Sequence, residues 1–310
     1  MFREPRAAIV FLAPALILLG LFRVLPAAVS VGESLMGLAT PPTAASEAIG
    51  ASINAGVGAA AGGPTRAFVG FSNYRHLFTS DPVFWGSARV TLAYSALASP
   101  VTVAVALGLA FLLKGSDRRR SLLRTACFLP SAISMSVVAV VWGLMLDPYY
   151  GLVNSLLRAI GLPPQPFLNS PRQALACLIA IAVWRNSGYW MMFFLAGMQG
   201  IPREAYEAAA LDGASKSKQA WHITIPLLAR TVSFVLVSNT AFNFLTFAPV
   251  FILTKGGPIR STNVLVYESY KSAFIGLDMG RATAISSLVL AAVLLLSLAE
   301  LRLTRPKHEY

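Results

Sequence analysis

At 310 residues, with 56% hydrophobic and only 12% charged side chains, the chain carries about half the charge that a water-facing domain uses to cover its surface. That composition excludes an ordinary water-soluble domain and points to a protein whose outer solvent is lipid. The net charge of +12 would suggest nucleic acid on a soluble protein. Here the basic residues lie mostly in short segments between apolar runs, so they read as topology signals and no nucleic-acid partner is expected.

Six stretches reach the roughly 20 mostly apolar residues that a spanning helix needs. They are 8–35, 88–113, 122–146, 174–199, 228–253 and 282–301. Arg3 and Arg6 ahead of the first run resemble a signal peptide, but the apolar run continues past Arg23 to Val31. It therefore reads as a retained first helix. With the N-terminus cytoplasmic, the inner segments hold twice as many Lys and Arg as the outer ones, which favours both termini inside.

The first outer loop, 37–84, opens with a stretch to residue 67 rich in Ala, Gly, Ser, Thr and Pro. It is expected to be flexible, because it cannot bury enough apolar surface to offset its chain entropy. The second outer loop carries a short amphipathic helix around 151–157. The third opens with Lys255-Gly256-Gly257-Pro258, a turn signal. Pro130 and Pro249, within or near span ends, each remove a backbone donor and are expected to kink their helices.

Cys127 and Cys177 both lie in apolar runs, which gives no disulfide framework. His76, His222 and His308 are scattered, and no metal site is expected.

The inner segment 200–227 is the most informative. Pro202 suits the first turn of a helix, Ala205 to Leu211 are strong helix formers, and Gly213 breaks the helix. A second short helix, 215–222, follows. Glu207 is placed to pair with Arg203 one turn earlier, or with a basic group on a partner. Ala208 and Ala209 form a small-residue face that another backbone can approach.

The run Glu207-Ala208-Ala209-Ala210-Leu211-Asp212-Gly213, followed after nine residues by Ile223-Thr224-Ile225-Pro226, resembles the EAA loop of binding-protein-dependent ABC importer permeases. Only Ile225 departs from the usual leucine. Three further stretches resemble the carbohydrate-type permeases of the MalF, UgpA and LacF kind: Phe68-Val69-Gly70-Phe71-Ser72-Asn73-Tyr74, Arg124-Thr125 with Phe128-Leu129-Pro130, and Lys255-Gly256-Gly257-Pro258. The insert 37–67 is the main departure. The resemblance implies an all-α membrane protein, a single permease domain of six transmembrane helices with the type I importer fold. Glu207, Ala208, Ala209, Asp212, Gly213, Ile223 and Pro226 are then the ATPase-coupling residues.

No G-x-x-x-x-G-K-[ST] phosphate loop is present. The chain is therefore expected to be non-catalytic and to bind no cofactor itself, with ATP and Mg held by partner subunits. The implied partners are a second, similar permease in a heterodimer, two ABC ATPases, an extracytoplasmic substrate-binding protein or lipoprotein, and membrane lipid.

Polar residues within spans are costly and face a cavity or a partner helix. Arg185, Asn186, Tyr189 and Trp190 on the fourth span, and Asn239, Asn243 and Phe247 on the fifth, form the candidate substrate path. Amides bond hydroxyls, and aromatic faces cover the C–H face of a sugar ring. For the asparagines the other reading is interhelical hydrogen bonding, and for Trp190 and Trp184 it is packing. Arg185 suits a phosphate or carboxylate, or a carboxylate on the partner permease.

The expected function is ATP-driven import of a sugar or sugar-like solute by alternating access, with glycerol-3-phosphate or a glycerophosphodiester as the alternative. An intramembrane enzyme is disfavoured by the lack of nucleophile or metal motifs in the spans. An ion-coupled carrier is disfavoured by the lack of a central acidic residue, since Glu33 and Glu300 lie at span ends.

Overall fold

The computed structural model describes residues 5–38 and 66–303. Most of the insert expected to be flexible lies outside the described residues. The chain opens with helix α1 (Pro5–Leu19), which runs through a wider turn at Gly20–Val24 into α2 (Leu25–Ser34). The insert is closed at its base by an antiparallel ribbon, β1 (Met36–Leu38) with β2 (Arg66–Phe68), in the register Met36 to Phe68. This ribbon was not visible in the sequence pattern. Neither was α3 (Ser72–Thr79), which precedes the long α4 (Pro82–Leu112).

The third apolar stretch is two helices, α5 (Arg118–Ala132) and α6 (Met135–Met145), bent by 97° at Ile133-Ser134. This corrects the single helix expected over 122–146. Pro130 sits in the last turn of α5, where it cannot donate to the carbonyl of Ala126, and the chain turns extended at Ile133 (ψ 141°). The proline thus precedes a full break.

The short helix α7 (Leu152–Ala159) is tied down by Asn154, which is fully buried. Its Nδ2 donates to the carbonyls of Pro148 (3.1 Å) and Gln165 (2.9 Å), and its Oδ1 accepts from Gln165 N–H at 2.8 Å. One amide thereby closes the outer loop that joins α6 to α8 (Ala174–Gln199).

Beyond α8 come α9 (Arg203–Leu211) and α10 (Lys216–Gln219), which continues through a wider turn into α11 (Ile225–Leu227). The second helix of this segment is therefore longer than 215–222. It bends by 67° into α12 (Ala229–Phe244). The fifth stretch also departs from expectation. Helix ends at Phe244, Leu245 to Phe247 are unwound, and a short helical turn, Val250–Thr254, follows. Pro249 starts this last piece instead of kinking a continuous helix. Ala248 and Pro249 open this piece, where the missing N–H of a proline costs no helical bond. The loop expected after Lys255 contains a ten-residue helix, α13 (Leu265–Phe274), before α14 (Met279–Leu303).

Among the described residues, three helical runs are long and apolar enough to cross a membrane: Leu12–Ser34, Pro82–Leu112 and Met279–Arg302. Counting each bent pair as one span gives five. Helix α8 has the length, with 26 residues, but carries Arg185 and Asn186 near its centre.

The chain divides into two compact units: Met1–Trp85 with Glu268–Leu290, and Gly86–Tyr267 with Ala291–Tyr310. The first unit is organised by buried charge. Arg281 Nε and Nη2 reach Asp81 Oδ2 at 2.8 and 2.7 Å, and Nη1 reaches Glu268 Oε1 at 2.9 Å. Glu268 also holds Lys271 at 2.8 Å. The other oxygen of Asp81 accepts the N–H groups of Val83 and Phe84 at 3.0 Å, capping α4.

The second unit is held by helix packing. Ala106, Ala110 and Leu113 of α4 meet Met191, Phe194 and Met198 of α8 and Val235 of α12 in one buried cluster. Lipid is as apolar as these side chains, so close fit and not water exclusion favours the contact. Gly188 shows how close: a Cβ there would overlap the backbone carbonyl of Cys127, so only glycine lets α8 lie against α5.

Candidate functional site

All seven residues of the candidate substrate path line one cavity of about 470 Å³ in the second unit. Arg185, Asn186, Tyr189 and Trp190 come from α8, Asn239 and Asn243 from α12, and Phe247 from the unwound stretch. Sequence reasoning missed Tyr94 of α4, Ser131 and Met135 at the break between α5 and α6, Phe242, Leu245, Ala248 and Pro249. Non-helical backbone at membrane depth is tolerated where it is buried in protein or lines a water-filled cavity. Broken spans are also where transporters bind their solutes. This cavity adjoins two such breaks.

The asparagines both line the cavity and bond between helices. Trp190 Nε1 donates to Asn239 Oδ1 at 2.9 Å, and Asn239 Nδ2 donates to the Ser99 carbonyl at 3.3 Å. Asn243 Nδ2 donates to Ser99 Oγ at 3.0 Å. These bonds hold α8, α12 and α4 together around the cavity. Tyr189 packs edge-on against Trp190 (4.9 Å between centroids) and Phe193 (5.2 Å). Trp184 points elsewhere and packs against Trp142 at 5.5 Å.

Arg185 has a partner that the sequence did not reveal. Its Nη2 donates to the carbonyls of Ser131 (3.2 Å) and Ile133 (2.9 Å), and its Nη1 to Asn186 Oδ1 at 3.1 Å. The break after α5 leaves carbonyls without helical donors, and one guanidinium nitrogen satisfies two of them at the negative end of that helix. Its Nε is buried without a partner, and no carboxylate pairs with Arg185 among the described residues.

In the candidate coupling segment, α9 ends as the sequence implies. Gly213 has φ +76°, its N–H donates to the Ala210 carbonyl at 3.1 Å, and the Ala214 N–H donates to the Ala209 carbonyl at 2.8 Å. This pair of bonds closes the helix end and needs left-handed backbone, which glycine adopts without cost. Glu207, Ala208, Asp212, Gly213 and Pro226 are exposed, whereas Ala209 and Ile223 are half-buried. Of the two pairings open to Glu207, the one with Arg203 is not formed among the described residues, and Glu207 stays exposed. Leu211, 90% exposed, adds an uncovered apolar group at the tip of α9.

Comparison with known proteins agrees with this arrangement. Residues 101–305 match the family described as binding-protein-dependent transport system inner membrane component. The chain is 34% identical over 244 residues to the sn-glycerol-3-phosphate transport system permease protein UgpA of Agrobacterium fabrum, covering 78% of this chain and 83% of that one. It is 38% identical over 251 residues to the probable ABC transporter permease protein YurN of Bacillus subtilis, covering 79% and 85%. Among solved structures, a chain of the bacterial alginate ABC transporter, crystallised with its alginate pentasaccharide-bound periplasmic protein, superposes with a TM-score of 0.70. The identity there is 25%, over 76% of this chain and 83% of that one. The apolar helices, the broken spans and these matches over most of its length establish that the chain belongs to the inner-membrane permeases of binding-protein-dependent ABC importers.

Proposed function

We propose that the cavity bounded by Arg185, Trp190, Asn239 and Asn243 is the passage for a sugar or sugar-like solute, moved by alternating access. The observation that carries this reading is the interruption of the helix at 245–247, whose residues line a polar and aromatic cavity. Asn186, Tyr189 and Phe247 offer the solute an amide and two aromatic faces. Glu207, Ala208, Ala209, Asp212 and Gly213 form the lever that an ATPase subunit grips, and Ile223 and Pro226 carry its motion into α12. A second permease completes the passage, two ABC ATPases hold ATP and Mg, and an extracytoplasmic binding protein delivers the solute. The chain itself catalyses no reaction.

A second substrate reading rests on one observation. Arg185 is a cation on the cavity wall with no carboxylate partner among the described residues. This favours an anionic solute such as glycerol-3-phosphate or a glycerophosphodiester, and relatives with the first of these names match the chain.

The test is uptake in proteoliposomes that contain the complete complex and ATP, offered neutral oligosaccharides and glycerol-3-phosphate in turn. ATP-dependent accumulation of either class supports import and selects the substrate. Uptake that follows membrane potential without ATP overturns the reading in favour of a self-sufficient carrier.

A further inference from the structure

Helix α9 has no fully buried residue, and its outer surface carries Glu207, Ala208 and Leu211 in the open. One large side chain points the other way. Tyr206 packs against the buried cluster in which the ends of α4 and α8 meet Leu228 at the foot of α12. Its hydroxyl lies 3.0 Å from Thr224 Oγ1, and Thr224 is only 2% exposed, on the run that bends into α12. Lys114, just past the end of α4, sits 4.3 Å above the Tyr206 ring and donates to its hydroxyl at 3.3 Å.

We propose that Tyr206 is the positioning residue through which displacement of α9 reaches the transmembrane helices, one ring engaging α4 by its face and the α12 run by its hydroxyl. The proposal rests on α9 being the ATPase-coupling helix. The physical case is mechanical. Nine residues of helix make a rigid rod of about 13 Å. At one end the rod is joined to the spans through Pro202, and at the other through Gly213, whose left-handed backbone forms the turn between α9 and α10. Force applied to the exposed face would swing such a rod about its ends unless a side chain engages the structure behind it. Tyr206 is the aromatic side chain of α9 in that position, and its two polar contacts lie on different elements, Lys114 two residues past α4 and Thr224 on the run that leads into α12. A cation over the ring together with a hydrogen bond at the hydroxyl orients the ring as well as placing it.

The experiment uses the complete complex in proteoliposomes, with the solute-loaded binding protein outside. ATP hydrolysis and solute uptake are measured together for Tyr206→Ala, Tyr206→Phe and Thr224→Val. The exposed face of α9 is unchanged in all three, so the ATPases are expected to co-purify and ATP to be hydrolysed. Uptake per ATP is expected to fall about tenfold in Tyr206→Ala and severalfold in the two variants that lose only the hydroxyl contact.

Uptake per ATP within about twofold of the parent in an assembled Tyr206→Ala complex overturns the proposal. Where Tyr206→Ala does not assemble, parent-like coupling in both Tyr206→Phe and Thr224→Val overturns it, since a ring that serves only packing is untouched by these changes. Glu207→Ala and Gly213→Pro run alongside. If these two leave coupling unchanged, it is the coupling reading of α9 that fails.

Discussion

Arg185 Nη2 lies 2.9 Å from the carbonyl oxygen of Ile133, so the middle of one transmembrane helix is fastened to the break in another. A charged side chain at the centre of a membrane helix costs about 2.5–3.5 kcal/mol, and carbonyls without donors are costly in the same place. Each offsets the other here. The cavity wall is built on that exchange.

Arg185→Met removes the donors of Ser131 and Ile133 and leaves their carbonyls unsatisfied. A loss of about 1–3 kcal/mol is expected. Arg185→Lys recovers only part of it, because an ammonium cannot hold the two carbonyls and Asn186 Oδ1 together as the two arms of the fork do. Thermal unfolding of the purified complex in detergent checks the order parent, lysine, methionine. A methionine variant as stable as the parent would show that the break needs no cap.

Gly188→Ala places a methyl group against the Cys127 carbonyl. Backbone cannot yield as a side-chain end can, so α5 and α8 separate at a cost of about 1–3 kcal/mol. The measurement is the fraction of chain recovered folded after membrane extraction, with Gly108→Ala as control. Gly108 has open space around its Cβ position, and its variant is expected to behave as the parent.

Asp81, Arg281 and Glu268 form a buried ionic cluster in which one arginine serves two carboxylates. Breaking such a cluster by removing one partner costs about 3–5 kcal/mol. Asp81→Ala also uncaps α4, so it is expected to be more damaging than Glu268→Gln. A double-mutant cycle on Asp81 and Arg281 separates the pair from the cap. A coupling energy near zero would assign the whole effect to the cap.

Asp147, in the loop after α6, accepts the backbone N–H of Tyr150 and Tyr149, and these bonds hold its carboxyl below the ordinary aspartate value of 3.8. A folded-state value below the unfolded one means the contribution is full above the unfolded value and is lost as pH falls through the folded one. Asp147→Asn is therefore expected to lower the melting temperature at neutral pH and to flatten the acid limb below about pH 4, where the two curves converge. Melting temperature measured against pH for the two proteins decides this. Parallel curves would remove Asp147 from the account.

What the sequence determined was local. Apolar windows marked the membrane stretches, because lipid demands unbroken runs of apolar side chains. The helix end at Gly213 was legible because left-handed backbone singles out glycine. The spacing of Asn186, Tyr189 and Trp190, and of Asn239 and Asn243, put each set on one helix face, and the fold brings both faces to one cavity.

What tertiary structure decided was every partnership across the chain. Arg185 reaches Ile133 over 52 positions, and Arg281 reaches Asp81 over 200. Hydrophobicity windows report how well a segment suits lipid, not where its hydrogen bonds go. At Ile133 another helix supplies the donor that the freed carbonyl needs, and at 245–247 the N–H groups of Leu245 and Thr246 turn back to Ala241 and Asn243. The same holds for Tyr206. Its place beside Glu207 was plain in the sequence, but only the fold sets its ring against α4 and its hydroxyl against Thr224.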